Sequence, residues 1–136
     1  MARSNEDVNN LDLLIVDGVH TPLEINGVTI VYSYTYVCPK DVTFGFEWKF
    51  SGSAIKCSIA IEQGNIAPAI EGTADGNMVV PYGAGNLITD CANDNTYVKA
   101  YAPVVANFLR IRVTGGAGNG VDTKLERFLV NTIVNA

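Results

Sequence analysis

Apolar and polar residues alternate with a period of two along much of the chain, and one long alternating stretch runs from Asn107 to Val130. In Phe108-Leu109-Arg110-Ile111-Arg112-Val113, the residues Leu109, Ile111 and Val113 fall on one face and Arg110 and Arg112 on the other, the mark of a strand with one dry side. Gly115-Gly116-Ala117-Gly118-Asn119-Gly120 follows, a run that takes positive φ at little steric cost. Beyond it Leu125, Arg127 and Leu129 alternate with Lys124, Glu126 and Phe128. The pattern predicts a β-hairpin whose outer face carries Arg110 and Arg112.

The same period recurs upstream. In Val42 to Phe50, Val42, Phe44, Phe46, Trp48 and Phe50 share one face and Thr43, Gly45, Glu47 and Lys49 the other, so the aromatic face is expected to form the core. Ser51-Gly52 leads to Ala54 to Glu62, with Ile55, Cys57, Ile59 and Ile61 inward and Lys56, Ser58, Ala60 and Glu62 outward. These two segments read as a short-turn hairpin. Val28 to Val37 reads as one strand with Tyr32, Tyr34 and Tyr36 in a row, entered through Asn26-Gly27 as a type I′ turn.

Shorter strands are expected at Leu11 to Val16, closed by Asp17-Gly18, and at Asn86 to Thr89 and Tyr97 to Tyr101. Gly18 to Ile25, with His20 and Pro22, is an edge strand or an extended link. From Gln63 to Gly85 glycines and prolines break every regular pattern, yet the stretch is too apolar for a free linker. A packed excursion at one end of the fold is expected there. No segment sustains a 3.6-residue apolar period. The fold class is therefore all-β: a single antiparallel β-sandwich of about eight strands, with jelly-roll topology as one arrangement. Residues 1–10 read as a polar N-terminal arm and residues 11–136 as the β-sandwich domain.

Composition narrows the function. With 48% apolar residues in 136, the chain can bury a sizeable core. Charged residues are 17%, below the usual quarter, which points to surface covered by another chain. A net charge of −5 argues against a general nucleic-acid binder. The N-terminus lacks a signal-peptide pattern and no apolar run is long enough to span a bilayer, so no membrane partner is expected. Cys38, Cys57 and Cys91 lack metal-like spacing and read as free thiols of a chain made in a reducing cytoplasm.

Candidate chemistry is sparse. The glycine run partly matches the GGxGxDxUx calcium nonapeptide, but Gly120 replaces the aspartate and only one copy is present. It is no phosphate loop either, because a strand follows and no helix N-terminus. Asp90, Asn93, Asp94 and Asn95 crowd oxygen ligands without EF-hand spacing, and a self-capping polar loop explains them. His20 has Asp17 nearby, and Asp17, Glu24, Glu47, Glu62 and Glu71 form no local acid–base pair. A non-enzymatic protein without cofactor or metal is expected. Arg110, Arg112, Lys124 and Arg127 concentrate positive charge on the final predicted hairpin, either as ordinary outward strand residues or as a stripe for an acidic partner surface. Arg3, Asn5 and Asn9 of the polar arm are further candidates for partner contacts.

The run from Val98 to Thr123 resembles small structural proteins of tailed bacteriophages. The matching residues are Ala100, Pro103-Val104-Val105-Ala106, Phe108-Leu109-Arg110-Ile111, Val113-Thr114-Gly115, Ala117-Gly118-Asn119 and Asp122-Thr123. Ile61-Glu62-Gln63, Asn65, Pro68 and Val79-Val80-Pro81 fit upstream, so the resemblance covers roughly residues 42 to 130. It implies a β-sandwich component of the virion, commonly a head decoration or cement protein. Such a protein binds the assembled head as a homo-oligomer, with the major capsid protein or other virion subunits as partners. The alternative is a carbohydrate- or receptor-binding module of a fibre or tail, for which Tyr82, Tyr97 and Tyr101 are the glycan-facing candidates.

Overall fold

The computed structural model describes residues 8–38, 42–53, 55–80, 86–91, 96–101 and 106–134. In chain order the strands are β1 (Val8–Asp12), β2 (Ile15–Val16), β3 (Val19–His20), β4 (Leu23–Glu24), β5 (Ile30–Tyr32) and β6 (Tyr36–Val37). They continue with β7 (Val42–Ser51), β8 (Cys57–Gly64), β9 (Asn86–Cys91), β10 (Thr96–Tyr101), β11 (Phe108–Gly115) and β12 (Lys124–Val134). One sheet has the order β1-β12-β7-β10, with β4 also on β12. The second has the order β5-β11-β8-β9, with β6 also on β11, and β2 and β3 form a small third sheet. Every pairing is antiparallel.

Counting β5 and β6 as two pieces of one edge, the main strands pair first with last (β1 with β12) and second with seventh (β5/β6 with β11). The third then pairs with the sixth (β7 with β10) and the fourth with the fifth (β8 with β9). This nested ribbon, folded over into two facing sheets, is a jelly roll. The expected all-β sandwich is present.

Two local expectations are overturned. β11 and β12 lie in different sheets, and so do β7 and β8, so neither pair is a hairpin. Alternation reports which face of a strand is dry and says nothing about which neighbour its edges hydrogen-bond. The connections of residues 52–56 and 116–123 are long enough to cross the roughly 10 Å between packed sheets. Asn119 laces the two crossovers together. Its Oδ1 accepts the Lys56 N–H at 2.5 Å, its Nδ2 donates to the Ile25 carbonyl at 3.0 Å, and Gly116 N–H reaches the Lys56 carbonyl at 2.7 Å.

The glycines between 115 and 120 are also used differently than expected. None has a left-handed φ, whereas Gly18, Gly27, Gly52 and Gly72 do. Gly115 is needed for close approach, because a Cβ there would strike the Gly27 carbonyl and the Ile25 side chain. The two-residue hairpin turn falls instead at Asp17-Gly18, with φ of 50° and 82°, between the paired Val16 and Val19. Asn26-Gly27 joins β4 to β5 across the two sheets rather than closing a hairpin.

The core is built from both sheets. Phe46, Trp48 and Phe50 of β7 and Leu125, Phe128 and Val130 of β12 pack with Ile59 and Ile61 of β8 and Leu109, Ile111 and Val113 of β11. Trp48 stacks on Phe128 with centroids 6.1 Å apart. A bulge between Leu125 and Arg127 shifts the phase of β12. Leu125, Phe128 and Val130 therefore point inward together, which corrects the assignment of Leu125, Arg127 and Leu129 to one face.

Val28 to Val37 is likewise not one strand. Ser33 is buried between β5 and β6, its Oγ accepting the Ile111 N–H and donating to the Tyr34 carbonyl, both at 3.0 Å. The side chain replaces a ladder partner, so the strand breaks there. At the N-terminus, β1 begins at Val8, and residues 8–10 pair with Ile133, Thr132 and Asn131. The first residues of the expected arm, 1–7, lie outside the described residues.

Candidate interaction surface

The outer face of the β5-β11-β8-β9 sheet was expected to present Glu62 and Arg110 to water. The alternation does put them on that face, directly opposite one another in register, but both are buried. Arg110 Nε donates to Glu62 Oε1 at 2.8 Å, and Nη2 lies 2.8 Å from the same oxygen. Arg112 Nη1 is 3.5 Å from Glu62 Oε2 and remains about one-third exposed. The Arg110 guanidinium also lies 4.1 Å from the centre of the Tyr32 ring, and its Nη1 donates to the Thr73 carbonyl at 2.6 Å. A fully buried cation is thus held by a carboxylate, a carbonyl and a ring face.

What covers this cluster is residues 65–80, the described part of the expected excursion. It leaves β8 at Gly64, where a Cβ would collide with the Asn77 carbonyl. Gln63 and Val79 exchange backbone hydrogen bonds at 2.8 and 3.1 Å, which returns the segment to the strand it left. Between those points it is tied to the sheet by Asn65, whose Oδ1 accepts the Asn107 N–H at 3.2 Å. Glu71 accepts the Thr35 N–H at 2.7 Å. Asp75 organises the segment from within by accepting the N–H groups of Asn77 and Ala69, which lowers its pKa. The result is a strap across the sheet, buttoned down by Arg110.

Several large apolar side chains on and beside the strap are exposed. Ile66 and Ile70 on it are 63% and 68% exposed, and Val37 on the sheet edge is 72% exposed. Hydrogen bonds tie the segments that carry Ile66 and Ile70 to the residues on either side of β6. Ile66 follows Asn65, which bonds Asn107, whose carbonyl accepts the N–H next to Val37 at Cys38. Ile70 precedes Glu71, which bonds Thr35 just before β6. Ile30 on β5 extends the exposed edge.

The remaining candidates are dispersed. Arg110 and Arg112 lie on one sheet and Lys124 and Arg127 on the other, so the four cations do not form a single stripe. Arg127 Nε is 3.1 Å from Glu47 Oε2 in a partly exposed ion pair, and Lys124 stands opposite Ser51 and Glu24 in register. Arg3, Asn5 and Tyr82 lie outside the described residues, as do Asn93, Asp94 and Asn95. Asn9 pairs with Thr132 through β1, while Tyr97 and Tyr101 stand opposite Trp48 and Phe44 on the edge strand β10.

His20 is joined to Asp12 and not to Asp17, its nearer neighbour in sequence. Its Nδ1 is 2.6 Å from Asp12 Oδ2 and its Nε2 is 2.8 Å from the Glu126 carbonyl. Both partners accept hydrogen bonds, so the imidazolium satisfies both, and the Asp12 hydrogen bond raises the His20 pKa. The contact clasps the β2–β3 hairpin to β1 and β12. No sequence signal marks it, since Glu126 is supplied by a strand at the far end of the chain.

Among the described residues no group of three or more His, Cys, Asp or Glu side chains is placed to hold a metal ion. Among the described residues no helix is long and apolar enough to cross a membrane. No protein-family model matches the chain, and no curated protein is significantly similar to it.

Proposed function

We propose that the protein is a non-enzymatic structural component of a tailed-phage virion, a decoration or cement protein that binds the assembled head as a homo-oligomer. The observation that carries the reading is the exposed apolar side chains of Ile66 and Ile70, on a strap that a buried ion pair fixes to the sheet, and of Val37 on the sheet edge to which that strap is bonded. Apolar side chains on a pre-ordered surface lose little conformational freedom when a partner covers them, which suits a protein–protein contact. The low charge density and the jelly-roll frame support the same reading, as does the resemblance of residues 42 to 130 to phage structural proteins.

The test is co-sedimentation of the purified chain with heads of the virus that encodes it, alongside its solution mass. Saturable binding by an oligomer is expected, with loss of binding in Val37→Glu/Ile70→Glu while the melting temperature is kept. A monomer with no affinity for those heads would sink the proposal.

A further inference from the structure

Cys57 and Cys91 stand directly opposite one another on the adjacent antiparallel strands β8 and β9. Both are reduced thiols, both are buried (1% and 3% exposed), and both belong to the core cluster, so they face the same side of the sheet. Opposed residues of an antiparallel pair have Cα atoms about 4.5–5.5 Å apart, inside the roughly 4.4–6.8 Å window of a disulfide. Cys38 cannot substitute for either. Its N–H bonds the Asn107 carbonyl at one end of β11, while Cys57 is opposite Gly115 at the other end, about 27 Å along the strand at some 3.4 Å per residue.

We propose that Cys57 and Cys91 form a latent cross-strand disulfide, made when the folded protein meets a small-molecule disulfide oxidant. One thiolate attacks the oxidant's S–S bond, giving a mixed disulfide and one released thiolate. The second cysteine, after losing its proton to solvent, attacks the protein sulfur of that mixed disulfide, and a second small thiolate leaves. Two protein thiols are oxidised and one small disulfide is reduced.

Two features set the rate. β9 is an edge strand, so local opening there exposes both sulfurs without unfolding the sandwich. Burial pushes the Cys57 thiol up in pKa, which makes the bond slow to form at neutral pH and faster at alkaline pH, while Asn119 Nδ2, 3.5 Å from the sulfur, offsets part of that shift. The bond would tie the free edge of the sheet to β8 and close a loop of about 35 residues, a long enough loop to stabilise appreciably. The inference is independent of the virion reading and stands or falls on thiol chemistry alone.

The test incubates the full chain with oxidised glutathione at pH 8 and digests it without reduction. A Cys57–Cys91 linked peptide is expected, with an intact mass two hydrogens lower and a melting temperature higher by about 10 °C that dithiothreitol reverses. Cys38→Ser should still form the bond, and Cys91→Ser should not. Three titratable thiols after prolonged oxidation, a bond involving Cys38, or a stable glutathione adduct at Cys57 or Cys91 that never resolves would each overturn the proposal. Peptide mapping of the wild-type chain decides this even where a cysteine variant folds poorly.

Discussion

Glu62–Arg110 and Glu47–Arg127 are both carboxylate–guanidinium pairs on outward strand faces, yet they belong to different physical regimes. The side chains of the first are 0% exposed at Arg110 and 5% at Glu62, while those of the second are 41% exposed at Arg127 and 27% at Glu47. The difference comes from residues 65–80, which roof one sheet and have no counterpart over Glu47 and Arg127 among the described residues. In water, an ion pair exchanges hydration for a weak attraction that salt screens further. Under the strap, each charge has lost its water and depends on its partner. The buried pair is therefore less a source of net stability than a condition for the strap to close, because Arg110 is the side chain that also grips Thr73.

The sharpest way to break that contrast is Glu62→Ala, which leaves Arg110 buried without its counter-charge. A loss of about 3–5 kcal/mol in unfolding free energy by chemical denaturation is expected, together with faster proteolysis within residues 65–80. Replacing both partners by apolar residues, Glu62→Met with Arg110→Met, should recover most of the stability while leaving the strap protease-sensitive, since Thr73 has lost its donor. Recovery of protease resistance as well would mean that the strap holds without Arg110.

His20–Asp12 is as exposed as the second pair, but it titrates near neutral pH. The folded state raises the His20 pKa, so its contribution is fully present below the unfolded value of about 6.5 and disappears as pH climbs through the raised value. At 42% side-chain exposure the effect is small, about 0.5 kcal/mol. The difference in stability between the protein and His20→Gln should be larger at pH 5.5 than at pH 8.5, and the opposite slope would refute the clasp. Least affected of all should be Glu47→Ala, within about 0.5 kcal/mol of the parent by denaturation and unchanged in protease pattern.

The strands were legible where local residues decide the outcome. Residues 45–51 of β7 alternate as cleanly in the sheet as in sequence, because a half-buried strand imposes its period on its own side chains. Arg110 shows where that legibility stops. Its face was readable from its neighbours, but its burial depends on a segment more than thirty residues away that has no periodic pattern. The same holds for the expected final hairpin. A glycine-rich connection between two alternating strands fits either a turn within a sheet or a crossover, and the choice rests on distant edges. In β12 a single bulge reversed the phase, which alternation alone cannot anticipate. The placement of Ile66 and Ile70 beside the edge that carries Val37 was invisible for a related reason, since it rests on hydrogen bonds from Asn65 and Glu71 to distant residues.

The pairing of β1 with β12 also sets a timetable for the chain. Val8 must find Ile133, while Cys57 need only find Cys91, so the innermost pairs of the ribbon are complete long before the outermost. At about 5–20 residues per second of synthesis, β1 spends on the order of ten seconds outside the ribosome before its partner exists. From its own synthesis until β12 appears, the β7 edge that β12 will occupy is also open. Folding of this protein is therefore a wait followed by a closure, and its last strand is the one that ends the exposure.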